Sequence, residues 1–326
     1  MRSAIVSPQG VKKMNKIGLL FQKYGTILAL IGIVVFFSIM TETFLTSRNL
    51  INILSHISML TIIATGMTVC MIPGDFDMSI ASVASLSGVI VTSLILNGLG
   101  VFGSILITVG MGALFGVIAG ILITRLKISA FIATLALGTI ATGINFMFTR
   151  GQEVYGIFPD SFLAIAQNRV LGIPVQVFIM AAVIVVFTFV MEKTKMGKWM
   201  YSIGGSVKAS FLSGINVRLL RVIGMIISGA LAAFTGCILA SRLGSGQPTA
   251  GDAYLMDAIA ASFLGMTTIK VGRPNVPGTF VGALIIGVIN NGLVIMGVSY
   301  FFQYIAKGAI IILAVAMTSF RNSESF

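Results

Sequence analysis

In a chain of 326 residues of which only 9% are charged, three acids stand in or beside long apolar runs: Asp75, Asp77 and Asp257. An unpaired charge is costly in lipid, so acids at such places are functional candidates by default. One chemistry they could carry is a proton or sodium path. The other role is structural, because an Asp side chain accepts hydrogen bonds from the free N–H groups at a helix start. Asp75 and Asp77 belong to Pro73-Gly74-Asp75-Phe76-Asp77-Met78-Ser79, a helix-breaking stretch between the apolar runs 51–72 and 80–96. It is either a tight turn at a membrane face or an interruption within the membrane. For Asp77, capping or turn formation is the favoured reading. Asp257 is expected to pair with a polar neighbour such as Gln247 or Thr249.

Other chemistry is sparse. His56 is the only histidine, which disfavours a His-based metal site or a Ser/His/Asp triad, so no catalytic or metal-ligating residue is assigned. His56 is expected to be a hydrogen-bonded residue near the start of a span. Gly197-Lys198 is followed by Trp199 and lacks the upstream glycine of a P-loop, so any ATP-driven step needs a partner. Cys70 and Cys237 lie inside apolar runs and read as packing residues.

The elements that must hold these residues are membrane helices. Hydrophobic residues make up 57% of the chain and mean hydropathy is +1.05, which is incompatible with a water-soluble core in a polar shell. The apolar runs have helix-spanning length, whereas a membrane barrel would show segments of about ten alternating residues. The expected fold is therefore all-α, a polytopic transmembrane bundle. Its spans fall near 25–41, 50–72, 80–97, 101–124, 129–148, 174–191, 217–240, 255–268, 275–297 and 301–320. A basic tail at 1–24, read as preceding a retained first span, and a short tail at 321–326 flank a membrane domain at 25–320. The eighth span is short, and is tilted, buried or discontinuous.

The formal charge of +12 reads as a topology signal rather than nucleic-acid binding, since Lys and Arg sit between spans. With both termini cytosolic, 16 of the 21 basic residues fall inside. Arg48, Arg150, Arg169 and Arg242 fall outside, and Lys307 is left within the tenth span. Gly112, Gly116 and Gly120 recur at four-residue spacing, a face that lets helices approach closely. Gly66-Met67-Thr68 recurs as Gly265-Met266-Thr267, either a duplication or a coincidence of low-diversity sequence.

The most charged connection, 192–216, holds a short helix-like stretch from Ser206 to Leu212 that ends at Gly214 and shows Phe211 and Leu212. Such a segment is either a docking surface or a loop packed on its own bundle. At these residues, and over nearly the whole chain from about Asn49 to Ser319, the sequence resembles the membrane permease subunits of bacterial ribose-type sugar ABC importers. Gly204-Gly205 and Leu212-Ser213-Gly214-Ile215-Asn216-Val217 resemble the family's ATPase-docking loop. Gln247-Pro248-Thr249-Ala250-Gly251, Asp257-Ala258-Ile259-Ala260-Ala261, Gly272-Arg273, Gly278-Thr279 and Asn290-Asn291-Gly292-Leu293 continue the likeness in order. The family's Gly-Gly-Ile-Asp-Leu-Ser and Val-Gly-Ser are met here by Gly74 to Ser79 and Ile80-Ala81-Ser82. Asp77 and Ser79 are kept, while Asp75 and Ala81 replace glycines.

The resemblance implies a multi-pass permease of the bacterial cytoplasmic membrane that forms a pore with a second permease, identical or homologous. An extracytoplasmic solute-binding protein would deliver a small sugar. ATP and Mg would be bound by a separate ATP-binding subunit, and no cofactor by this chain. It implies a coupling loop of Gly204, Gly205, Ala209, Leu212, Ser213, Gly214 and Ile215. Candidates for the pathway are Asp77, Ser79, Gln247, Thr249, Asp257, Asn290 and Asn291. The rival class is an ion-coupled secondary carrier, motivated by the three acids. A membrane-embedded enzyme is disfavoured by the missing His, Cys and acid pairs.

Overall fold

The computed structural model describes residues 16–323, so the expected tail residues 1–15 and 324–326 lie outside it. The first five helices are α1 (Lys16–Met40), α2 (Ser47–Met71), α3 (Ile80–Leu96), α4 (Val101–Thr124) and α5 (Ala130–Thr149). A short α6 (Asp160–Gln167) and a two-stranded hairpin, β1 (Arg169–Val170) and β2 (Ile173–Pro174), lead into α7 (Val175–Lys193). Then come α8 (Lys195–Gly205), α9 (Val207–Leu212), α10 (Val217–Leu243), α11 (Ala253–Gly265), α12 (Val276–Ile295) and α13 (Tyr300–Ser323).

Each expected span has its helix. Among the described residues α2, α4, α5, α7, α10 and α12 are long and apolar enough to cross a membrane, while Thr26–Met40, α3 and α11 are shorter apolar helices. At ~1.5 Å per residue, the 13 residues of α11 fall well short of the ~30 Å hydrocarbon layer. α11 instead lies buried between α2 and α12. The connection 149–173, expected only to be polar, contains α6 and the hairpin. Leu171 and Gly172 both have positive φ, as the two-residue turn joining such strands requires.

The centre of the bundle is α2, every residue of which from Ile57 to Met71 is buried. Beside it, α10 receives the small face of α4. That face is longer than the three glycines suggested: Ser104, Thr108, Gly112, Gly116, Gly120 and Thr124, four residues apart, are all buried. A Cβ on Gly116 would lie 2.2 Å from the Met225 carbonyl oxygen, and one on Gly112 would lie 2.4 Å from that of Gly229. Only glycine permits this backbone approach. On the other side of α4, Phe102, Leu106, Ile107, Leu114 and Ile118 are exposed. Apolar residues outside and small residues inside are the pattern of a helix in lipid, where packing replaces hydrophobic exclusion as the force between helices.

Candidate functional site

Two polar assemblies lie at opposite ends of the helices. At one end, where the described basic residues concentrate, the 73–79 turn meets the end of α8 and the first turns of α10. Gly74 takes φ +100°, and the Asp75 amide then donates to the Cys70 carbonyl at 3.1 Å, closing α2. The turn points Asp75 at Arg221 on α10, whose Nε donates to Oδ2 at 2.8 Å while Nη2 engages Oδ1. Asp75 is only 1% exposed, and this two-pronged pairing gives its buried charge a partner. The glycine-to-aspartate departure noted in the sequence thus has a structural counterpart in Arg221, which composition alone marked only as a topology signal.

Asp77 is satisfied locally. Its Oδ1 accepts from the Ser79 amide at 2.9 Å and from the Ser79 hydroxyl at 2.5 Å, an Asx turn that leads into α3. Burial pushes the Asp77 carboxyl above its ordinary range, and the bonds from Ser79 pull it back. The favoured turn-forming reading of Asp77 is what the geometry displays.

The Gly204–Val217 segment is tied to the same turn. A Cβ on Gly204 would sit 2.1 Å from the Ile72 carbonyl oxygen, whereas Gly205 faces open space. The Ser206 hydroxyl accepts from the Ala209 amide at 3.2 Å and starts α9. At its far end Gly214 takes φ +78°. The Gly214 amide donates to Phe211 and the Ile215 amide to Ser210, at 3.0 and 3.1 Å, a Schellman closure. Phe211 and Leu212 stand 71% and 76% exposed, with Ala209 and Ser213 beside them at the surface. Tyr201 on α8 donates to the Pro274 carbonyl at 2.9 Å, and Lys270 pairs with Glu192 at the end of α7 at 2.9 Å, fastening α8 and the end of α7 to the turn between α11 and α12.

At the opposite end, Asp257 on α11 accepts from Asn290 Nδ2 on α12 at 2.8 Å and lies 3.0 Å from Lys307 Nζ on α13. This corrects the expectation that Gln247 or Thr249 would be its partner. Both precede α11 in a connection whose turns are made by their carbonyls, with Ala250 and Asp252 as donors, and Thr249 is exposed. Gln247 is half-buried and borders a small crevice beside Ser85. Asn291 points away from Asn290 and exchanges hydrogen bonds of 3.0 and 2.9 Å with Asn49 on α2. His56 is also corrected: it stacks on Tyr254 at 5.7 Å between centroids, and its buried Nδ1 has no hydrogen-bond partner in the described structure.

The seven pathway candidates therefore do not form one site. Asp77 and Ser79 sit together at one end. Asp257 and Asn290 sit together at the other with Asn291 nearby, and Gln247 and Thr249 lie in the connection between α10 and α11. Arg221 and Lys307 are the residues whose role sequence reasoning missed. The available signal was Lys307 itself, a lone cation inside an apolar run.

The family described as "Branched-chain amino acid transport system / permease component" matches residues 49–315 of the chain. The chain is 38% identical over 312 residues to the ribose import permease protein RbsC of Haemophilus influenzae, covering 95% of this chain and 97% of that one. It is 39% identical to the RbsC of Bacillus subtilis, with 91% and 92% covered. It is 33% identical to the D-allose transport system permease protein AlsC of Escherichia coli, with 96% of each covered. No solved structure matches.

Proposed function

This chain belongs to the branched-chain amino acid transport system / permease component family, and from that premise we propose that it is the permease subunit of a sugar ABC importer in the bacterial cytoplasmic membrane. The substrate class follows the relatives, which are ribose and allose permeases along most of this chain's length. It crosses the membrane ten times with both termini cytosolic, so the basic end faces the cytosol. An extracytoplasmic binding protein delivers a monosaccharide to the opposite end. A second permease, this chain or a homologue, completes the pore, and a separate subunit binds ATP and Mg.

The observation that carries the coupling is the seating of α8 and α9. Phe211 and Leu212 project from a capped, glycine-closed helix, while Gly204 touches the end of α2. A push on α9 by the ATP-binding subunit would be transmitted through Gly204 and Ile72 to the 73–79 turn, and through Arg221 to Asp75. The two ends of α2 would then be linked by one rigid helix, and Asp257, Asn290 and Asn291 would border the entry side.

The test is reconstitution with the ATP-binding subunit and the binding protein, reading sugar uptake against ATP hydrolysis. ATP-dependent uptake is expected, and Gly214→Val, which strains a φ of +78°, should leave hydrolysis running while uptake falls. Uptake by the permease alone on a proton or sodium gradient would overturn the reading in favour of the carrier.

A further inference from the structure

Between the end of α4, the 125–129 turn, α9 and the first turns of α10 lies an open cavity of about 1600 Å3. Its charged lining is entirely cationic: Arg125, Lys127, Lys208, Arg218 and Arg221. Arg221 is engaged by Asp75, but the other four have no ion-pair partner among the described residues. Four cations gathered around one cavity repel one another at short range, and an anion there would relieve that repulsion. The turn that carries two of them is fixed rather than loose. Lys127 has φ +57°, and the Ile128 amide donates to the Leu122 carbonyl at 3.2 Å.

Beside the cations the lining holds Thr124, Ser129 and Asn216, and the remainder is mostly apolar. Ile121, Ile128 and Leu219 border the cavity and are themselves exposed. The greasy surface continues from there along α5 at Phe131, Ile132 and Leu135, all at least half exposed. A cationic cavity opening onto an apolar, lipid-facing wall matches a molecule with a charged head and hydrocarbon tails. A neutral sugar has no use for four unpaired cations, and an acidic peptide has none for the wall.

We propose that this cavity is a binding site for an anionic phospholipid headgroup of the cytosolic leaflet, held by Arg125, Lys127, Lys208 and Arg218 with its chains along Ile121, Ile128 and α5. Because Val207, Lys208 and Phe211 of α9 line it while the exposed Ala209, Leu212 and Ser213 do not, the lipid would brace the Phe211 side of the segment and leave the Leu212 side to the ATP-binding subunit. The assignment of the leaflet rests on the cytosolic placement of the basic end; the selectivity of the cavity does not.

The full-length permease in nanodiscs or mixed micelles, with phosphatidylglycerol and phosphatidylcholine offered together, is assayed by native mass spectrometry for retained lipid. Wild type should retain phosphatidylglycerol selectively. The variant Arg125→Gln/Lys127→Gln/Arg218→Gln should bind it about a hundredfold more weakly, at roughly fivefold per charge removed. Arg125→Lys/Lys127→Arg/Arg218→Lys should retain it, and so should Lys193→Gln/Lys195→Gln/Lys198→Gln, which neutralises the same end outside the cavity. Thermal unfolding of each variant controls for folding. Equal retention of the two lipids, or equal loss in both neutralised variants, overturns the proposal. Displacement by millimolar glycerol phosphate would make it a site for a soluble anion. With phosphatidylcholine as the only lipid, a lower affinity of the neutralised variant than of wild type for the ATP-binding subunit would make it a protein interface; either result also overturns the proposal. Nanodiscs expose both leaflets, so orientation is read separately by labelling Lys198→Cys in intact cells. Labelling from outside would sink the topology and leave the lipid selectivity standing.

Discussion

The two ends of the bundle solve one problem in different ways. At the basic end the buried Asp75 depends on a single side chain, Arg221, whose guanidinium reaches both carboxylate oxygens. At the opposite end Asp257 shares two donors, Asn290 and Lys307, from two helices. A carboxylate with one partner makes its contact a switch, because losing that partner leaves nothing. A carboxylate with two makes a joint that tolerates partial loss. The difference fits the proposed roles, since the basic end must transmit a movement and the other end must keep α11, α12 and α13 in register.

The sharpest way to break the comparison is Arg221→Met. Removing one member of a buried pair should destabilise the permease by about 3 kcal/mol, the lower part of the usual range because Arg221 is partly exposed. Asp75→Asn in the same chain should recover much of it, as read by denaturant unfolding in detergent and a double-mutant cycle. If the double variant is no better than the single, the pair is not what holds the turn.

Gly204→Ala comes next. Its methyl group would meet the Ile72 backbone, costing about 2 kcal/mol, whereas Gly205→Ala should stay within about 0.5 kcal/mol. Equal effects on stability would mean that the segment is not seated on α2. Lys307→Met should be milder than Arg221→Met, about 1 to 2 kcal/mol, because Asn290 still donates to Asp257. A loss as large as that at Arg221 would erase the contrast between the ends.

The smallest effect is electrostatic and local. Asp77 is buried with its carboxyl raised from the ordinary value of 3.8, so the folded state holds that proton more tightly than the unfolded chain. Stability should therefore fall as pH climbs from about that value through the raised one and be flat beyond it. Asp77→Asn keeps an oxygen acceptor for Ser79 and should flatten this slope in unfolding measured across pH. An unchanged slope would assign it to another group.

Much of this protein is written in short-range patterns. The capped α9 and its glycine closure follow from Ser206 and Gly214 because a cap is made within one helical turn. The small face of α4 follows from residues four apart, and the Asx turn at Asp77 needs only Ser79 two residues on. Fold class and helix positions follow from apolar runs, since a backbone in lipid must satisfy its own hydrogen bonds. The choice of Gln247 or Thr249 for Asp257 failed for the converse reason: nearness along the chain says little across a bundle.

What only the tertiary structure decided is which helix faces meet. Asp75 finds Arg221 146 residues away, and Asp257 finds Asn290 and Lys307 at separations of 33 and 50. α7 is apolar nearly all round, so no polar stripe marks its inward side. Its rotation is set by the contacts that it makes with α2, and contacts of this kind across the bundle set the partner of each buried charge. The sequence by itself determined that this chain is a membrane bundle with a structured basic segment; packing alone determined that Asp75 is answered by the helix that segment leads into.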